Sequence, residues 1–178
     1  MKVFGFAGWS GSGKTTLIEQ LIPRLVAQVG TVSLVKHAHH EFDVDQPGKD
    51  SWRHRHAGCA EVLVSSDVRW ALVRELRGDA ELTLPGALAR LSPEALVLVE
   101  GYKAYPIPKL EVFRPSVGKP LLHSENPHIL AIATDEPDFL RGSGIPVFAL
   151  DAVDEIATFV GQHAVPWLSA IDDNRATE

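Results

Sequence analysis

The sequence has few of the features that mark secreted, membrane-spanning or nucleic-acid-binding proteins. Its single cysteine, Cys59, cannot form a disulfide bond within the chain, so we expect a reducing, cytoplasmic location. No apolar run approaches the roughly 20 residues that a membrane-spanning helix needs. A glycine-rich segment also interrupts the short apolar start too early for a signal peptide, so we expect no membrane segment.

Acidic residues outnumber Lys and Arg by 23 to 17, which gives a formal net charge of −6. Because nonspecific nucleic-acid binding depends on many basic contacts to phosphates, we expect no nucleic-acid partner.

The residues that are present suit a single folded domain. The 178 residues, 45% of them hydrophobic, can bury a core without a metal or a disulfide. We predict one domain over residues 1–168, with residues 60–76 as an appendage. The polar residues 169–178 are predicted to form a flexible tail.

The hydrophobic pattern predicts an α/β fold. An apolar run at residues 3–7, helical spacing at 15–28 and a second run at 31–36 predict a βαβ unit and therefore a parallel sheet. Pro23 is expected to kink the helix. Further strands are predicted at 95–99, 109–113, 129–133 and 147–150, and further helices at 50–57, 84–91 and 154–163. Runs at 61–65 and 68–75 predict an antiparallel β-hairpin added to a mostly parallel sheet that is flanked by helices.

A phosphate-binding loop is predicted after the first strand. Residues 8–15, Gly-Trp-Ser-Gly-Ser-Gly-Lys-Thr, match the pattern G-x-x-x-x-G-K-[ST] at every fixed position. Glycines let the backbone turn closely around a phosphate, and the free amides at the start of the next helix point at the anion. Lys14 is predicted to reach the β- and γ-phosphates, and the Thr15 hydroxyl is predicted to bind Mg²⁺. The predicted fold is therefore of the P-loop NTPase type.

An acidic residue at the end of a buried strand is the second part of such a site. Glu100 follows the apolar run Leu-Val-Leu-Val and is predicted to hold Mg²⁺ directly or to polarise a water. The predicted catalytic residues are therefore Lys14 and Glu100.

A charged, histidine-rich loop follows the second predicted strand. Loops at the carboxyl ends of parallel strands meet at one edge of the sheet, so we expect this loop to face the ligand. Residues 48–51 are predicted to form a second anion cup with Lys49, and Asp43 and Asp45 to join the Mg²⁺ shell through waters. Two alternatives stay open: a transition-metal site at His37, His39 and His40, or a solvated loop without function. Of Arg53 and Arg55, at most one is expected to reach the ligand, because residues two apart on a helix do not share a face.

A family resemblance rests on several motifs in order. They are Gly-Trp-Ser-Gly-Ser-Gly-Lys-Thr-Thr-Leu at 8–17, Lys-His-Ala-His-His at 36–40, Asp-x-Asp-x-Pro-Gly-Lys-Asp-Ser at 43–51, Ala-Gly at 57–58, Arg-Trp-Ala-Leu at 69–72 and Val-Glu-Gly-Tyr-Lys at 99–103. With them the sequence resembles the MobB family, molybdopterin-guanine dinucleotide biosynthesis protein B, over about residues 2–160. The phosphate loop is shared by many proteins, whereas the segments 36–51 and 99–103 are far more specific.

The resemblance implies a GTP-binding adapter with weak GTPase activity that forms a homodimer. It also implies that the protein assists a MobA-type nucleotidyltransferase, the enzyme that attaches GMP to the molybdopterin cofactor. The hairpin around Arg69 and Trp70 is implied as a dimer or partner surface. The cofactor-binding residues expected for GTP and Mg²⁺ are Gly11, Ser12, Gly13, Lys14, Thr15, Thr16, His37, Lys49, Asp50, Ser51 and Asp135. The expected metal residues are Thr15, Asp45 and Glu100.

Guanine recognition is the least determined part of this interpretation. The motif [NT]-K-x-D, typical of GTPases, is absent, and Asp135 after a predicted strand is the nearest candidate to accept hydrogen bonds from guanine. A small-molecule kinase is the alternative function, with arginines at 69–77 as a lid, although strand-like alternation there disfavours a lid. A third possibility is a pterin carrier that uses the nucleotide as a switch.

Overall fold

The computed structural model describes residues 1–38 and 42–167. The predicted tail at 169–178 lies outside the described residues. The chain divides into two compact units. One comprises Met1–His37 and the chain from Leu84 onward, and the other comprises Ala38–Thr83.

The strands and helices follow the predicted order closely. They are β1 (Lys2–Ala7), α1 (Lys14–Val29), β2 (Val32–Lys36), α2 (Asp50–His56), β3 (Glu61–Ser65), β4 (Trp70–Arg74), α3 (Leu84–Leu88), β5 (Leu96–Glu100), β6 (Lys109–Phe113), β7 (Ile129–Thr134), β8 (Val147–Ala149), α4 (Val153–His163) and β9 (Val165–Pro166). The two-residue strand β9 was not predicted. α1 continues past Pro23 to Val29, so the proline does not end the helix, and the kink expected there stays a prediction.

The first unit contains a seven-stranded sheet with the order β2-β5-β1-β6-β7-β8, and β9 pairs with β1. All neighbouring pairs along this order are parallel, and only β9 runs antiparallel. The predicted fold class, a mostly parallel sheet flanked by helices, is confirmed.

Both faces of the sheet are covered because its central strands carry apolar side chains on each side. Phe4 and Phe6 of β1 pack in one cluster with the buried faces of α1 and α4. Val3 of β1 and the β5 valines pack on the opposite face with Leu84 and Leu88 of α3. Each fully buried leucine, such as Leu84, contributes about 2 kcal/mol through removal from water. The alternation along β1 therefore fixes which side each helix occupies.

The second unit contains the short helix α2 and the hairpin of β3 and β4. The two strands pair antiparallel, with Leu63 opposite Leu72. They form a two-stranded sheet of their own, so the antiparallel hairpin predicted as an addition to the parallel sheet is confirmed. α2 begins at Asp50, and Lys49 occupies its N-terminal capping position without a side-chain hydrogen bond.

Candidate functional site

Five segments meet at the carboxyl edge of the parallel sheet. The phosphate loop follows β1, His37 follows β2, Glu100 ends β5, Arg114 follows β6 and Asp135 follows β7. Ligands of open parallel sheets bind in the crevice outside these strand ends. β1 lies between β5 and β6 in the sheet. The predicted phosphate loop therefore lies between Glu100, which ends β5, and Arg114, which follows β6.

The phosphate loop turns through three glycines with positive φ. They are Gly8 at 143°, Gly11 at 81° and Gly13 at 94°. A Cβ on Gly8 would lie 2.4 Å from the Val112 carbonyl oxygen, whereas a Cβ on Gly11 would have no heavy atom within 4 Å. α1 begins at Lys14, directly after Gly13, so the amides of its first turn face the loop. The loop is thus held tightly against β6 at its start and is open at Gly11.

Lys14 folds back over the loop that precedes it. Its Nζ donates to the carbonyl oxygens of Gly8 at 2.9 Å and Trp9 at 2.8 Å. Burial lowers the pKa of Lys14, and the nearby Glu100 carboxylate opposes that shift.

Two further lysines lie within electrostatic reach of Lys14. The charges of Lys103 and Lys36 lower the pKa of Lys14 further. The Nζ of Lys103 stands 4.4 Å from the centre of the Trp9 ring, and that ring is fixed by its Nε1 donating to the Pro120 carbonyl oxygen at 2.8 Å. This edge of the sheet is therefore cationic, although the whole chain is acidic.

Thr15 and Glu100, which were predicted separately as metal residues, are brought together. The Thr15 hydroxyl donates to Glu100 Oε1 at 3.2 Å. Lys36 Nζ lies 3.3 Å from Glu100 Oε2 and 3.5 Å from Thr15 Oγ1. The Glu100 side chain is only 9% exposed, so its negative charge is held by these two partners. Lys36 was predicted at the end of the second strand, where the charged loop begins, but without a partner; its pairing follows from the register Lys36↔Glu100 between β2 and β5.

The other predicted residues of this unit surround the same edge. Thr16 is exposed, and Ser12 is buried with a hydroxyl that has no hydrogen-bond partner within the described residues. The His37 amide donates to the Glu100 carbonyl oxygen at 2.8 Å, and the His37 ring lies 4.7 Å from that of Tyr102. His37 is thus packed beside the end of β5, and its contact with a ligand stays a prediction.

Arg114 was not predicted, and it connects the phosphate loop to Asp135. Its Nε donates to the Ser12 carbonyl oxygen at 3.1 Å, and its Nη1 donates to Asp135 Oδ2 at 2.7 Å. A Cβ on Gly13 would lie 3.4 Å from Arg114 Nε. Arg114 could have been found from its position, because it is the first residue after β6, the strand that pairs with β1. The role of Asp135 in guanine recognition stays a prediction.

In the second unit, Asp45 and Ser51 belong to a cluster around a buried arginine. Asp45 accepts from Ser51 Oγ at 2.8 Å with one oxygen and from Arg55 Nε at 2.9 Å with the other. The Arg55 guanidinium also pairs with Asp43 at 2.7 Å and with Glu75, and its side chain is only 6% exposed.

The charges of this cluster have a structural role. A backbone hydrogen bond from the Asp45 amide, together with Arg55, lowers the pKa of Asp43. Both oxygens of Asp45 already accept hydrogen bonds, and its place in a Mg²⁺ shell stays a prediction. Of the other predicted residues, the Lys49 amide donates to the Gln46 carbonyl oxygen, and Asp50 lies 3.8 Å from Arg53. Ligand contact by Lys49, Asp50 and Ser51 likewise stays a prediction.

The transition-metal alternative gains no support from residues 1–38 and 42–167, which contain no group of three or more His, Cys, Asp or Glu side chains arranged around a metal position. His39 and His40 of that alternative lie outside the described residues. No helix in the described part of the chain has the length and apolar character to cross a membrane.

The residues at the sheet edge fit a nucleotide with Mg²⁺. The loop leaves its backbone open at Gly11, and the Ser12 hydroxyl is a buried polar group without a described partner. Thr15 and Glu100 supply hydroxyl and carboxylate oxygens, the ligand types that Mg²⁺ prefers. Lysines 14, 36 and 103 supply positive charge for a polyphosphate. The arrangement can bind a phosphate chain and stabilise charge that develops on it.

Comparison with known proteins gives a consistent result. The family described as "Molybdopterin guanine dinucleotide synthesis protein B" matches residues 3–135. A "Molybdopterin-guanine dinucleotide biosynthesis adapter protein" from Escherichia coli is 40% identical over 169 residues, which cover 93% of each chain. One of the same description from Haemophilus influenzae is 44% identical over 135 residues, 76% of this chain and 75% of the other. The solved structure of a "molybdopterin-guanine biosynthesis protein B (mobB)" superposes with a TM-score of 0.69 and 28% identity, over 90% of this chain and 98% of that one.

Proposed function

Because this chain belongs to the MobB family and is an adapter of molybdopterin guanine dinucleotide biosynthesis, we propose that it binds GTP with Mg²⁺ and hydrolyses it slowly. In this proposal it assists a MobA-type nucleotidyltransferase, acts in the cytoplasm and contacts the molybdopterin cofactor. The observation that carries the proposal is the phosphate loop with Lys14 beside the Thr15–Glu100 pair.

The phosphate chain is the part of the nucleotide that the geometry supports best. Lys14 already bonds two loop carbonyls, so its ammonium is held over the turn where a phosphate would lie. Gly11, Ser12, Gly13 and Thr16 are the proposed backbone and hydroxyl contacts. When Mg²⁺ is bound, it supplies charge neutralisation at the β- and γ-phosphates, and Thr15 and Glu100 would hold it. His37, Asp45, Lys49, Asp50 and Ser51 stay proposed as further ligand-facing residues.

The contacts of Glu100 support the slow hydrolysis in this proposal. Its Oε1 accepts from Thr15 and its Oε2 pairs with Lys36, so with Mg²⁺ as a further partner the carboxylate would have little capacity left to orient an attacking water. Transfer of a phosphoryl group depends on positioning and charge stabilisation, with no covalent intermediate on the protein. The site therefore suits a protein that binds GTP and hydrolyses it slowly.

The hairpin of the second unit is the proposed surface for self-association or for the partner enzyme. Leu63 and Leu72 lie directly opposite each other on one face of the two strands, and Trp70 is on the same face. Their exposed fractions are 60%, 48% and 68%. A contiguous apolar face of this kind is typical of protein contact surfaces. We propose that the homodimer forms there.

The experiment that tests the nucleotide proposal is calorimetric titration of GTP and of ATP, each with and without Mg²⁺. The parent should bind Mg·GTP more tightly than Mg·ATP. Lys14→Ala should weaken both by about 100-fold or more, because it removes a charge-assisted contact worth several kcal/mol in a partly buried site. Glu100→Gln should keep metal-free binding and lose most of the gain from Mg²⁺. If Lys14→Ala binds Mg·GTP as the parent does, the site assignment is wrong.

Equal affinity for the two nucleotides would remove the guanine assignment and leave the kinase alternative open. That alternative gains no support from the arginines at 69–77, because Arg74 pairs with Glu61 and Asp79, and Arg77 donates to the Arg55 carbonyl oxygen. Acceptor-dependent release of ADP or GDP would favour a kinase. Pterin fluorescence that co-purifies without nucleotide would favour a carrier.

A further inference from the structure

We propose that Arg114, held by Asp135, is a positioning residue for the phosphate loop, and that Asp135 acts on nucleotide affinity through Arg114 without contacting the base. This inference rests on the proposed function and assigns roles that the phosphate-loop pattern does not contain. It is carried by the contacts of one guanidinium with the phosphate loop and with the residue that follows β7.

The sheet order brings the three segments together. β6 lies between β1 and β7, so the loop after β1, Arg114 after β6 and Asp135 after β7 stand side by side. Phe113 and Thr134 are paired in register, and Arg114 and Asp135 are the residues that follow them. The 2.7 Å contact between Arg114 Nη1 and Asp135 Oδ2 is therefore built into the sheet.

The contact with the phosphate loop fixes the direction of a peptide group. Arg114 Nε donates to the Ser12 carbonyl oxygen at 3.1 Å. In a planar trans peptide, the carbonyl and the following N–H point in opposite directions. A guanidinium that holds the Ser12 carbonyl on one side therefore turns the Gly13 N–H to the other side, away from Arg114. Because phosphates are bound by the N–H groups of such a loop, this orientation bears directly on affinity.

Gly13 shows that the guanidinium is packed against the loop. A Cβ at Gly13 would lie 3.4 Å from Arg114 Nε and 3.5 Å from its Nη2, and φ there is 94°. The guanidinium thus lies within van der Waals distance of the Gly13 backbone, on the side that a Cβ would face. The rigid fork of an arginine suits this bridge, because one plane carries both the donor to Ser12 and the donor to Asp135.

The same contacts disfavour base recognition by Asp135. A carboxylate that reads guanine accepts from N1–H and from the 2-amino group, and therefore uses both oxygens. Oδ2 of Asp135 is already engaged by Arg114. If Asp135 reads the base, Asp135→Asn should not change the affinity for a ligand that has no base. If Asp135 acts through Arg114, that affinity should fall.

The test measures binding of Mg·GTP and of inorganic tripolyphosphate with Mg²⁺, which carries no base. Arg114→Ala should weaken both by about tenfold or more, and by the same factor, since a charge-assisted hydrogen bond to the loop is lost. Asp135→Asn should weaken both by a smaller but equal factor. Arg114→Lys should recover part of the loss, because lysine can reach one of the two partners. Once Arg114 is alanine, adding Asp135→Asn should have no further effect.

A matched control is the exposed pair Arg141 and Asp138, which also lies 2.7 Å apart after a strand of the same sheet. Arg141→Ala should leave both affinities unchanged. The proposal is overturned if Asp135→Asn weakens the binding of GTP but not of tripolyphosphate, and strengthens the binding of xanthosine triphosphate (XTP). Such a change of base preference would show that Asp135 contacts the base. It is equally overturned if Arg114→Ala lowers only the melting temperature. A parent that binds neither probe would instead overturn the proposed function itself.

Discussion

Two glycines of the phosphate loop should respond differently to alanine, and this comparison tests the geometry most directly. Gly8 and Gly11 both have positive φ, at 143° and 81°. A Cβ at Gly8 would meet the Val112 carbonyl oxygen at 2.4 Å and Ser12 Oγ at 2.8 Å, whereas a Cβ at Gly11 would meet nothing within 4 Å. The first substitution should therefore destabilise the fold strongly, and the second should destabilise it less and act mainly on what binds the loop.

The magnitudes follow from these contacts. Gly11→Ala carries only the cost of a left-handed backbone, about 1–2 kcal/mol. Gly8→Ala adds overpacking of about 1–3 kcal/mol, because Val112 lies in the central strand β6 and cannot shift without moving its neighbours. At about 2–4 °C per kcal/mol for a chain of this size, Gly8→Ala should lower the melting temperature by roughly 10 °C and Gly11→Ala by roughly 4 °C.

The assay combines thermal unfolding without ligand and calorimetric binding of Mg·GTP at a temperature where both variants are folded. Gly11→Ala should weaken binding by about tenfold or more, since its Cβ projects from the turn that would hold the phosphates. Equal losses of melting temperature in the two variants would refute the packing argument. Unchanged Mg·GTP affinity in Gly11→Ala would refute the position of the phosphates.

Two further predictions concern buried charges. Burial lowers the pKa of Lys109 from 10.5 to about 8, so between these pH values the unfolded chain binds a proton that the native chain lacks. The free energy of unfolding should therefore rise by up to about 3 kcal/mol from pH 8 to pH 10.5, and urea titrations should show no such rise in Lys109→Met. Arg55→Ala should leave three carboxylates facing one another and reduce hydrogen-exchange protection of β3 and β4 by about tenfold or more. Arg53→Ala, at an exposed pair with Asp50, is its control, and equal effects of the two would contradict the buried cluster.

The elements of the fold could be predicted because their signals are local. The uninterrupted apolar run of β5 and the helical spacing of α1 both lie within the length of one element. β9 could not be predicted, since its two residues become a strand only through pairing with β1 at the other end of the chain. The hairpin could be predicted, since the alternating strands and the short turn between them are also local signals.

The same division applies to the candidate site. Lys14 and Thr15 could be predicted from one contiguous motif, and Glu100 from the end of a buried strand. The pairing of Glu100 with Lys36 requires that β2 and β5 be neighbours, and the bridge from Arg114 to Ser12 joins residues 102 positions apart. Neither strand adjacency is specified by a local pattern.

The charge at the sheet edge shows why composition alone gives a misleading picture of the ligand. The chain carries a net charge of −6, yet Lys14, Lys36 and Lys103 lie close enough for the second and third to lower the pKa of the first. Glu100 is the carboxylate that opposes this repulsion, and it is shared between Lys36 and Thr15. Positive charges held together against their mutual repulsion are stabilised by an anion of several charges. Averaging over the chain hides this concentration, because acidic side chains elsewhere, such as the three around Arg55, outweigh these lysines in the total.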